Sequence, residues 1–331
     1  METRKVQKVG GGTYTVSIPV QWAQEHDIEA GGTAYLYTHR DGSLVVRWNE
    51  KEHGDLSATE ITLDDENPRV AERMLREAYT AGFGRITLRS PDCLTSEQRR
   101  AVAACSSRLA GAEIAEETDD RIAIQCLFDA SDVSVRQSAL QLRFTALSMH
   151  DAATAYLSGE TDESDHIVDR HDEVERTSRL IRRHSNRSLL ELAELDQLGV
   201  TRPQLFAYDV TARRLERVAD HAVTLVRCVQ RTDRTVSGEV LDDVRPISAD
   251  ARLVVADASD AVINDGPTTV AHSALDRCEQ VVRAANAVDE TLLDRAPEEA
   301  YVTTRVLDSL VQTARCGGDL AALRLRTSIG T

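Results

Sequence analysis

Apolar and polar residues alternate with a period of two at the beginning of the chain, which predicts short β-strands. Three glycines at 10–12 separate the first two of these segments, and Asp41 with Gly42 forms a hairpin turn before the last. Residues 20–26 predict a short amphipathic helix. A β-rich unit over residues 1–50 is too small to bury a core alone, so a homodimer is expected. The predicted strands are residues 5–9, 14–18, 34–37 and 44–48.

Strand and helix patterns alternate over residues 57–128, in the order β-α-β-α-β-β. Asn67 followed by Pro68 predicts a helix N-terminus, and Thr95 with Gln98 forms a second capping signal. This order predicts a small α/β sandwich. Its predicted strands are residues 60–63, 85–89, 113–116 and 121–127, and its predicted helices are residues 68–81 and 95–109.

The spacing of apolar residues changes to three or four from about residue 131, which predicts long helices. Two sets of three helices indicate a mainly α bundle over 131–331 with an internal duplication, in repeats of about 131–235 and 246–327. Gly238 and Pro246 are expected between the two sets. The predicted fold class is therefore multi-domain. The six predicted helices are residues 131–160, 164–197, 201–235, 246–265, 268–294 and 298–327.

The charge of the chain is acidic, with 55 Asp and Glu against 39 Lys and Arg, and only three of the 39 are lysines. This composition is typical of proteins from a salt-rich, halophilic cytoplasm, and it argues against a general nucleic-acid coat. Residues 1–50 are close to neutral, however, with five Lys or Arg and six Asp or Glu. The acidity therefore does not exclude DNA binding by the N-terminal unit.

The sequence also indicates a compartment and excludes several enzyme classes. None of the six cysteines forms a C-x-x-C pair, and scattered thiols suit a reducing cytoplasm. Residues 1–12 contain no apolar h-region, so no signal peptide is expected. Membrane insertion is not expected either, because no apolar run reaches the roughly 18 residues that a membrane helix needs. Because no phosphate-binding loop, H-E-x-x-H or G-x-S-x-G motif occurs, the prediction is that the chain is not an enzyme.

Four polar residues in the first helical set form a candidate site. Glu216 and Asp220 are four residues apart, so they share one helix face and interrupt an apolar stripe. His171 and Glu175 have the same spacing on the preceding helix. Carboxylates beside a bundle core need a positive partner, which is either an arginine or a metal cation. The simpler alternative is a solvated face with ordinary salt bridges.

The segment around Glu216 is similar to a known family. Glu216-Arg-Val-Ala-Asp220-His-Ala-Val resembles the E-R-x-[AG]-D-H-A signature of PhoU-type phosphate-signalling proteins, and Asp172 to Arg176 resembles their D-x-V-D segment. The resemblance implies two three-helix repeats over residues 131–331 with iron or zinc at E/D-x-x-x-D motifs. The residues carried over, as ligands of iron, zinc or magnesium at one carboxylate-rich site, are His171, Glu175, Glu216 and Asp220.

The second repeat departs from the family pattern. Arg315 stands four residues before Asp319, where the family has glutamate, and Ala285 stands four residues before Asp289. An arginine at this place could neutralise Asp319 instead of a metal. The resemblance therefore implies at most one good metal site, and histidine in place of an acid alters even that one.

Residues 1–50 resemble the swapped-hairpin AbrB/SpoVT DNA-binding domain. The matching segments are residues 4–10, 14–19 and 28–31. The resemblance implies an interleaved homodimer in which Arg4, Lys5 and Lys8 contact DNA phosphates. The predicted helix lacks the arginine pair that this family often carries, and Tyr14 stands where arginine is frequent. The alternative is a dimerisation module that no longer binds DNA.

An AbrB-like part joined to a PhoU-like part resembles archaeal phosphate-uptake regulators, in which a segment like residues 57–128 lies between the two. The sequence thus predicts a cytoplasmic regulator of phosphate uptake that binds DNA and contacts a phosphate transporter ATPase or a sensor kinase. One alternative is an adaptor that acts on the transporter without binding DNA. Another is a metal-dependent phosphohydrolase, for which no general base or oxyanion donor is identifiable.

Overall fold

The computed structural model describes residues 3–39, 42–48, 56–161, 164–230, 238–296 and 299–329. The chain forms two compact units, Met1–His53 and Gly54–Thr331.

Within its described residues, the first unit contains two antiparallel hairpins and one short helix, in agreement with the predicted elements. Lys8 faces Tyr14 in the first hairpin, and Leu36 faces Val46 in the second. Asp41 of the predicted turn lies outside the described residues. Three of the strands are shorter than predicted, and β3 has the predicted length with a shift of one residue. The elements are β1 (Gln7–Val9), β2 (Thr13–Thr15), α1 (Val20–Glu25), β3 (Tyr35–Thr38) and β4 (Leu44–Arg47).

Apolar side chains in this unit lie at the surface. Across the described residues 3–39 and 42–48, no hydrophobic side chain is buried. Val6, Tyr14 and Leu36 are 62%, 69% and 64% exposed. An apolar cleft of about 900 Å³ opens between α1 and the strands. It is lined by residues that include Tyr14, Ile18, Trp22, Leu36, Val46 and Trp48.

The second unit begins with an α/β layer whose element order is the predicted β-α-β-α-β-β. Its four strands form one sheet in the order β5-β6-β8-β7, in which β5 and β6 are parallel and the other pairs are antiparallel. The elements are β5 (Ala58–Thr62), α2 (Pro68–Ala81), β6 (Arg85–Arg89), α3 (Ser96–Ser107), β7 (Ala112–Glu117) and β8 (Arg121–Cys126).

Local capping signals determine where both helices of this layer begin. The Asn67 side chain accepts a hydrogen bond from the backbone of Arg69, and Pro68 occupies the first helical position. Thr95 and Gln98 form a reciprocal capping box, as predicted. The layer buries its own apolar core, which includes Leu75, Tyr79, Ile86, Leu88, Val102, Ile122 and Ile124.

The rest of the second unit is a helical bundle with two sets of three long helices. One continuous apolar core joins the sets, because α4 and α7 of the first set contact α8 and α10 of the second. A short helix precedes the last helix of the first set. The helices are α4 (Val135–Leu157), α5 (Asp165–Leu190), α6 (Ala193–Leu198), α7 (Arg202–Gln230), α8 (Gly238–Ile263), α9 (Thr268–Arg295) and α10 (Ala300–Ile329).

The helices differ from the predicted boundaries at two places, and a third predicted helix is described only in part. The prediction that Gly238 and Pro246 lie between the two sets was wrong, because both lie within α8. The turns before Pro246 remain helical since their apolar residues, including Val240 and Val244, are buried in the core. The predicted helix 164–197 is divided in two, because α5 ends at Leu190. The predicted helix 201–235 is seen to Gln230, and its last five residues lie outside the described range.

Helix α5 joins the bundle to the α/β layer. Its side chains donate hydrogen bonds to carbonyl oxygens at the C-terminal ends of α2 and α3, where helical carbonyls lack partners within the helix. The donor–acceptor distances are 2.6 Å from Arg176 to Ser107, 2.7 Å from Arg183 to Tyr79, 2.8 Å from Asn186 to Thr80 and 2.8 Å from Arg187 to Gly82.

None of the helices in the described part of the chain combines the length and the apolar character that crossing a membrane requires.

Candidate functional site

The polar residues predicted as a site lie where α5 packs antiparallel to α7. His171 on α5 and Asp220 on α7 are in direct contact, with 2.8 Å between Nε2 of the histidine and Oδ1 of the aspartate. The spacing of the two motifs therefore does bring a residue of each helix together. Arg217 is more distant from Asp220, at 3.8 Å.

Glu216 is held by two other residues of α5. Its Oε2 accepts a hydrogen bond from the Ser178 hydroxyl and another from Nη2 of Arg182, both at 2.7 Å. The Glu216 side chain is only 17% exposed, so this ion pair is partly shielded from water. Sequence reasoning missed Ser178 and Arg182. Their positions seven and eleven residues after His171 put them on the same face of α5, which is the signal that could have found them.

Glu175 lies on α5 but pairs within its own helix. Nη1 of Arg179, one turn further along, is 3.1 Å from its Oε2. His171, Asp172 and Glu175 each offer one potential metal-ligating atom, and these three atoms lie within 4.8 Å of one another. Asp172 is an addition to the predicted ligand set. It also faces Arg108 of the α/β layer, at 3.9 Å.

The two histidines of this region have opposite pKa shifts. The hydrogen bond that His171 donates to Asp220 raises the pKa of His171 above its usual value, and the nearby Glu175 and Asp172 act in the same direction against the effect of burial. Burial lowers the pKa of His221, whose Nδ1 is 3.1 Å from the Thr313 hydroxyl. The imidazolium form is therefore favoured between α5 and α7, and the neutral form towards α10.

The corresponding place in the second set is organised differently. Asp319 on α10 is paired with Arg214 of α7, at 3.1 Å, whereas Arg315 is exposed. An arginine does accompany Asp319, but it is contributed by the first set. Asp289 accepts a hydrogen bond from the Thr304 hydroxyl at 2.6 Å, and Ala285 is buried.

A buried ion-pair cluster beside the α/β layer escaped the sequence reasoning. Nδ1 of His184 is 2.6 Å from Oε1 of Glu194, and both side chains are 1% exposed. Arg187 contacts the other oxygen of Glu194 at 3.1 Å. Burial alone would raise the pKa of Glu194, but the bonds from His184 and Arg187 outweigh it and lower the pKa. Because α6 was not foreseen as a separate helix, nothing local indicated that Glu194 turns inward.

The fit of these residues to a metal ion can be tested on their contacts. Imidazole and carboxylate groups are suitable ligands for zinc, iron or magnesium. In the structure, however, Glu216 already binds Arg182, Asp220 already binds His171, and Glu175 already binds Arg179. An ion coordinated by all four predicted residues would have to displace these partners. The metal site therefore stays a prediction that the observed contacts do not favour.

This region is an all-helical bundle of two three-helix sets, with polar residues between two helices of the first set. That arrangement defines its fold class as a mainly α bundle. Residues 141–229 match the family described as the PhoU domain, a segment that includes His171, Glu216 and Asp220. The match confirms the expected PhoU resemblance for this segment and does not extend to residues 1–50. It agrees with the prediction that the chain is not an enzyme, since that family is regulatory.

Two solved structures are similar to this chain. One is PhoU from Pseudomonas aeruginosa, with 19% sequence identity, 60% of this chain and 96% of that chain covered, and a TM-score of 0.52. The other is the phosphate transport system regulatory protein PhoU from Streptococcus pneumoniae, with 14% identity, 60% and 94% coverage, and a TM-score of 0.49. The first similarity shows a PhoU-like fold. The search of curated proteins found no match.

Proposed function

We propose that this protein regulates phosphate uptake, and that it does so as a homodimer that binds DNA. The observation that carries the regulatory role is the match of residues 141–229 to the PhoU domain, in a bundle whose fold is shared with a PhoU protein. The bundle senses phosphate status through a phosphate transporter ATPase or a sensor kinase. The N-terminal unit then transmits that state to DNA.

The need for a partner at the N-terminal unit supports the homodimer. Within its described residues, the unit has no buried hydrophobic side chain, and strand and helix residues such as Tyr14 and Leu36 line an open apolar cleft. A unit of about fifty residues needs additional buried apolar surface to be stable. A second copy supplies hairpins of the same composition, so that each cleft buries apolar residues of the other chain.

The basic residues of the first hairpin support the DNA contact. Arg4 and Lys5 precede β1, Lys8 lies on it, and all three are exposed. Their role is to bind phosphates and position the dimer on the duplex, because phosphate contacts carry no base information. Two chains present six such cations, which predicts a slope of about −5 for log K against log salt concentration.

The test measures binding of the full chain to promoter DNA of phosphate-uptake genes by fluorescence anisotropy across a salt series. The triple variant Arg4→Gln, Lys5→Gln, Lys8→Gln is expected to lose binding at low salt. A matched control removes three exposed arginines of the bundle with the same change in net charge: Arg227→Gln, Arg283→Gln, Arg305→Gln. Equal binding by both variants, or no binding by the unaltered chain at low salt, would contradict the DNA role.

The adaptor without DNA binding remains the second candidate, and one observation favours it. Helix α1, with the sequence VQWAQE, contains no basic residue, and Tyr14 stands on the hairpin where the resemblance places arginine. In that case the N-terminal unit serves only to join two bundles. An unaltered chain that is dimeric, fails to bind promoter DNA at low salt and still associates with the purified transporter ATPase would support the adaptor.

A further inference from the structure

Cationic or hydrogen-bonding side chains of the protein accompany the three carboxylates that the PhoU resemblance assigns to metal binding, and they also accompany Asp319 at the matching place in the second repeat. The partners come from two helices, α5 and α7, and all the distances are those of direct contacts. The pairs are Glu175 with Arg179 at 3.1 Å, Glu216 with Arg182 at 2.7 Å, Asp220 with His171 at 2.8 Å and Asp319 with Arg214 at 3.1 Å.

We propose that Arg182, with Ser178 and His171, takes the place of a metal ion in the contact between α5 and α7, so that this protein maintains the contact without metal. This proposal concerns only whether the folded chain contains metal, so it does not depend on the proposed function. A protein that failed to bind DNA or a transporter could still be tested for it.

The contacts of Glu216 carry the argument furthest. Its Oε2 accepts two hydrogen bonds at 2.7 Å from α5, one from a guanidinium and one from a hydroxyl. A metal ion would need lone pairs of the same carboxylate. It would also place two positive charges within a few ångströms of Arg182, where the partly buried setting strengthens their repulsion. The guanidinium already supplies the positive partner that the carboxylate requires.

Asp220 is likewise paired with a side chain of α5. His171 Nε2 is the ring atom that faces its Oδ1, so that nitrogen is not available to a metal ion while the bond exists. The group formed by His171, Asp172 and Glu175 meets the same difficulty, because Glu175 contacts Arg179 and Asp172 faces Arg108. Both possible ligand sets are therefore compensated by groups of the chain.

The first experiment measures metal in the purified full chain by elemental analysis, before and after dialysis against EDTA and against excess Zn²⁺, Fe²⁺ or Mn²⁺. The Glu216→Gln variant is measured beside the unaltered chain. We expect the same substoichiometric metal content in both proteins and a melting temperature of the unaltered chain that EDTA does not change. Stoichiometric metal that is retained by the unaltered chain and lost from Glu216→Gln would overturn the proposal.

The second experiment tests Arg182 directly in metal-free buffer. Arg182→Gln is expected to lower the melting temperature by about 5 °C, because it leaves a partly buried carboxylate without its charged partner. The matched control is Arg283→Gln, which breaks an exposed pair with Glu279 on α9 and should change little. If Arg182→Gln does not fold, Ser178→Ala removes one donor to Glu216 and is expected to lower the melting temperature. Melting temperatures no lower than that of the control would overturn the proposal.

Discussion

His150 on α4 shows how a single residue can make the bundle sensitive to pH. Its side chain is 0% exposed, and neither ring nitrogen has a hydrogen-bond partner in the described part of the chain. Burial, with Arg252 and His221 nearby, lowers the pKa of His150 to about 4. The histidine is therefore neutral in the folded protein at any pH above that value.

The expected consequence is a loss of stability in mild acid that His150→Leu reduces. The unfolded chain takes up a proton at this histidine below its ordinary pKa of 6.5, whereas the folded chain does so only near 4. The unfolded state binds more protons between these values, so the stability contributed by the neutral form falls as the pH is lowered. The full difference corresponds to about 3 kcal/mol.

Urea unfolding at pH 7 and pH 4.5 measures this effect. His150→Leu is expected to lose less free energy of unfolding between the two pH values than the unaltered chain. His272→Leu is the matched control, because His272 is exposed on α9. Identical pH dependence in the unaltered chain and His150→Leu would contradict the assignment.

Helix α5 performs two packing roles at the scale of an element. One side faces α7 through residues such as His171 and Arg182, and another side faces the α/β layer through Arg183 and Arg187. Arg183 is buried, donates to the Tyr79 carbonyl and lies 4.8 Å from the centre of the Tyr79 ring. The layer and the bundle consequently form one compact unit.

The close approach of α10 to α8 depends on Gly317. A Cβ atom added there would lie 2.6 to 2.8 Å from side-chain and backbone atoms of Val254 and Val255. We expect Gly317→Ala to lower the free energy of unfolding by about 2 kcal/mol, because the helices must separate to accept a methyl group. The measurement is urea unfolding at neutral pH.

Gly238→Ala provides the control for this substitution. Gly238 is also helical, but a Cβ atom there would meet nothing within 4 Å, so the alanine should be neutral or slightly stabilising. A Gly317→Ala protein as stable as Gly238→Ala would show that the two helices can separate without loss.

The oligomeric state is the prediction that belongs to the whole molecule. If the N-terminal cleft holds a second copy, a charge within it should prevent association. Leu36→Asp is therefore expected to convert a dimer into a monomer in light scattering after gel filtration. Leu189→Asp places the same charge at an exposed leucine of α5 and should leave the dimer intact. A monomeric unaltered chain, or a dimeric Leu36→Asp variant, would contradict the proposed homodimer.

The acidic composition is also a property of the whole molecule. The chain carries a formal charge of −16, while residues 1–50 are close to neutral, so the acidity resides in the second unit. Halophilic and archaeal origin remain predictions from this composition and from the resemblance of the domain combination. In the salt series of the DNA experiment, binding that survives high salt must rest on close contacts between the protein and the duplex.

Local signals account for what could be predicted of the fold. The capping residues Asn67 and Thr95 determine where two helices begin, through contacts with residues only two or three positions further along the chain. Both helix starts were predicted correctly. The prediction for Pro246 was wrong. Proline disfavours a helix interior, but burial of the neighbouring apolar residues in the core outweighs that local preference. The break between α5 and α6 was not predicted; it accompanies the buried contact of Glu194 on α6 with His184 and Arg187 on α5.

The candidate site could be predicted only in part. The motif spacing identified His171 and Asp220, which are in contact in the structure. Residues four apart share one face of a helix, so the two motifs can face each other when α5 and α7 pack antiparallel. The partners of Glu216, and the buried contact of His184 with Glu194, depend on the register and crossing of α5 with its neighbours. Spacing along one helix shows which residues share a face, as Ser178 and Arg182 do with His171, but it does not show which residues of the neighbouring helix lie opposite them.

The sequence by itself therefore determined the order of the strands and long helices, the two sets of three long helices and the presence of a PhoU-like polar motif. These properties follow from periodicity, caps and residue identity, which act over a few residues. The tertiary structure alone decided which cations neutralise Glu216 and Asp319, and it joined the α/β layer to the bundle. Such contacts depend on how helices pack against one another, because a guanidinium can satisfy a carboxylate only when packing brings the two within hydrogen-bond distance.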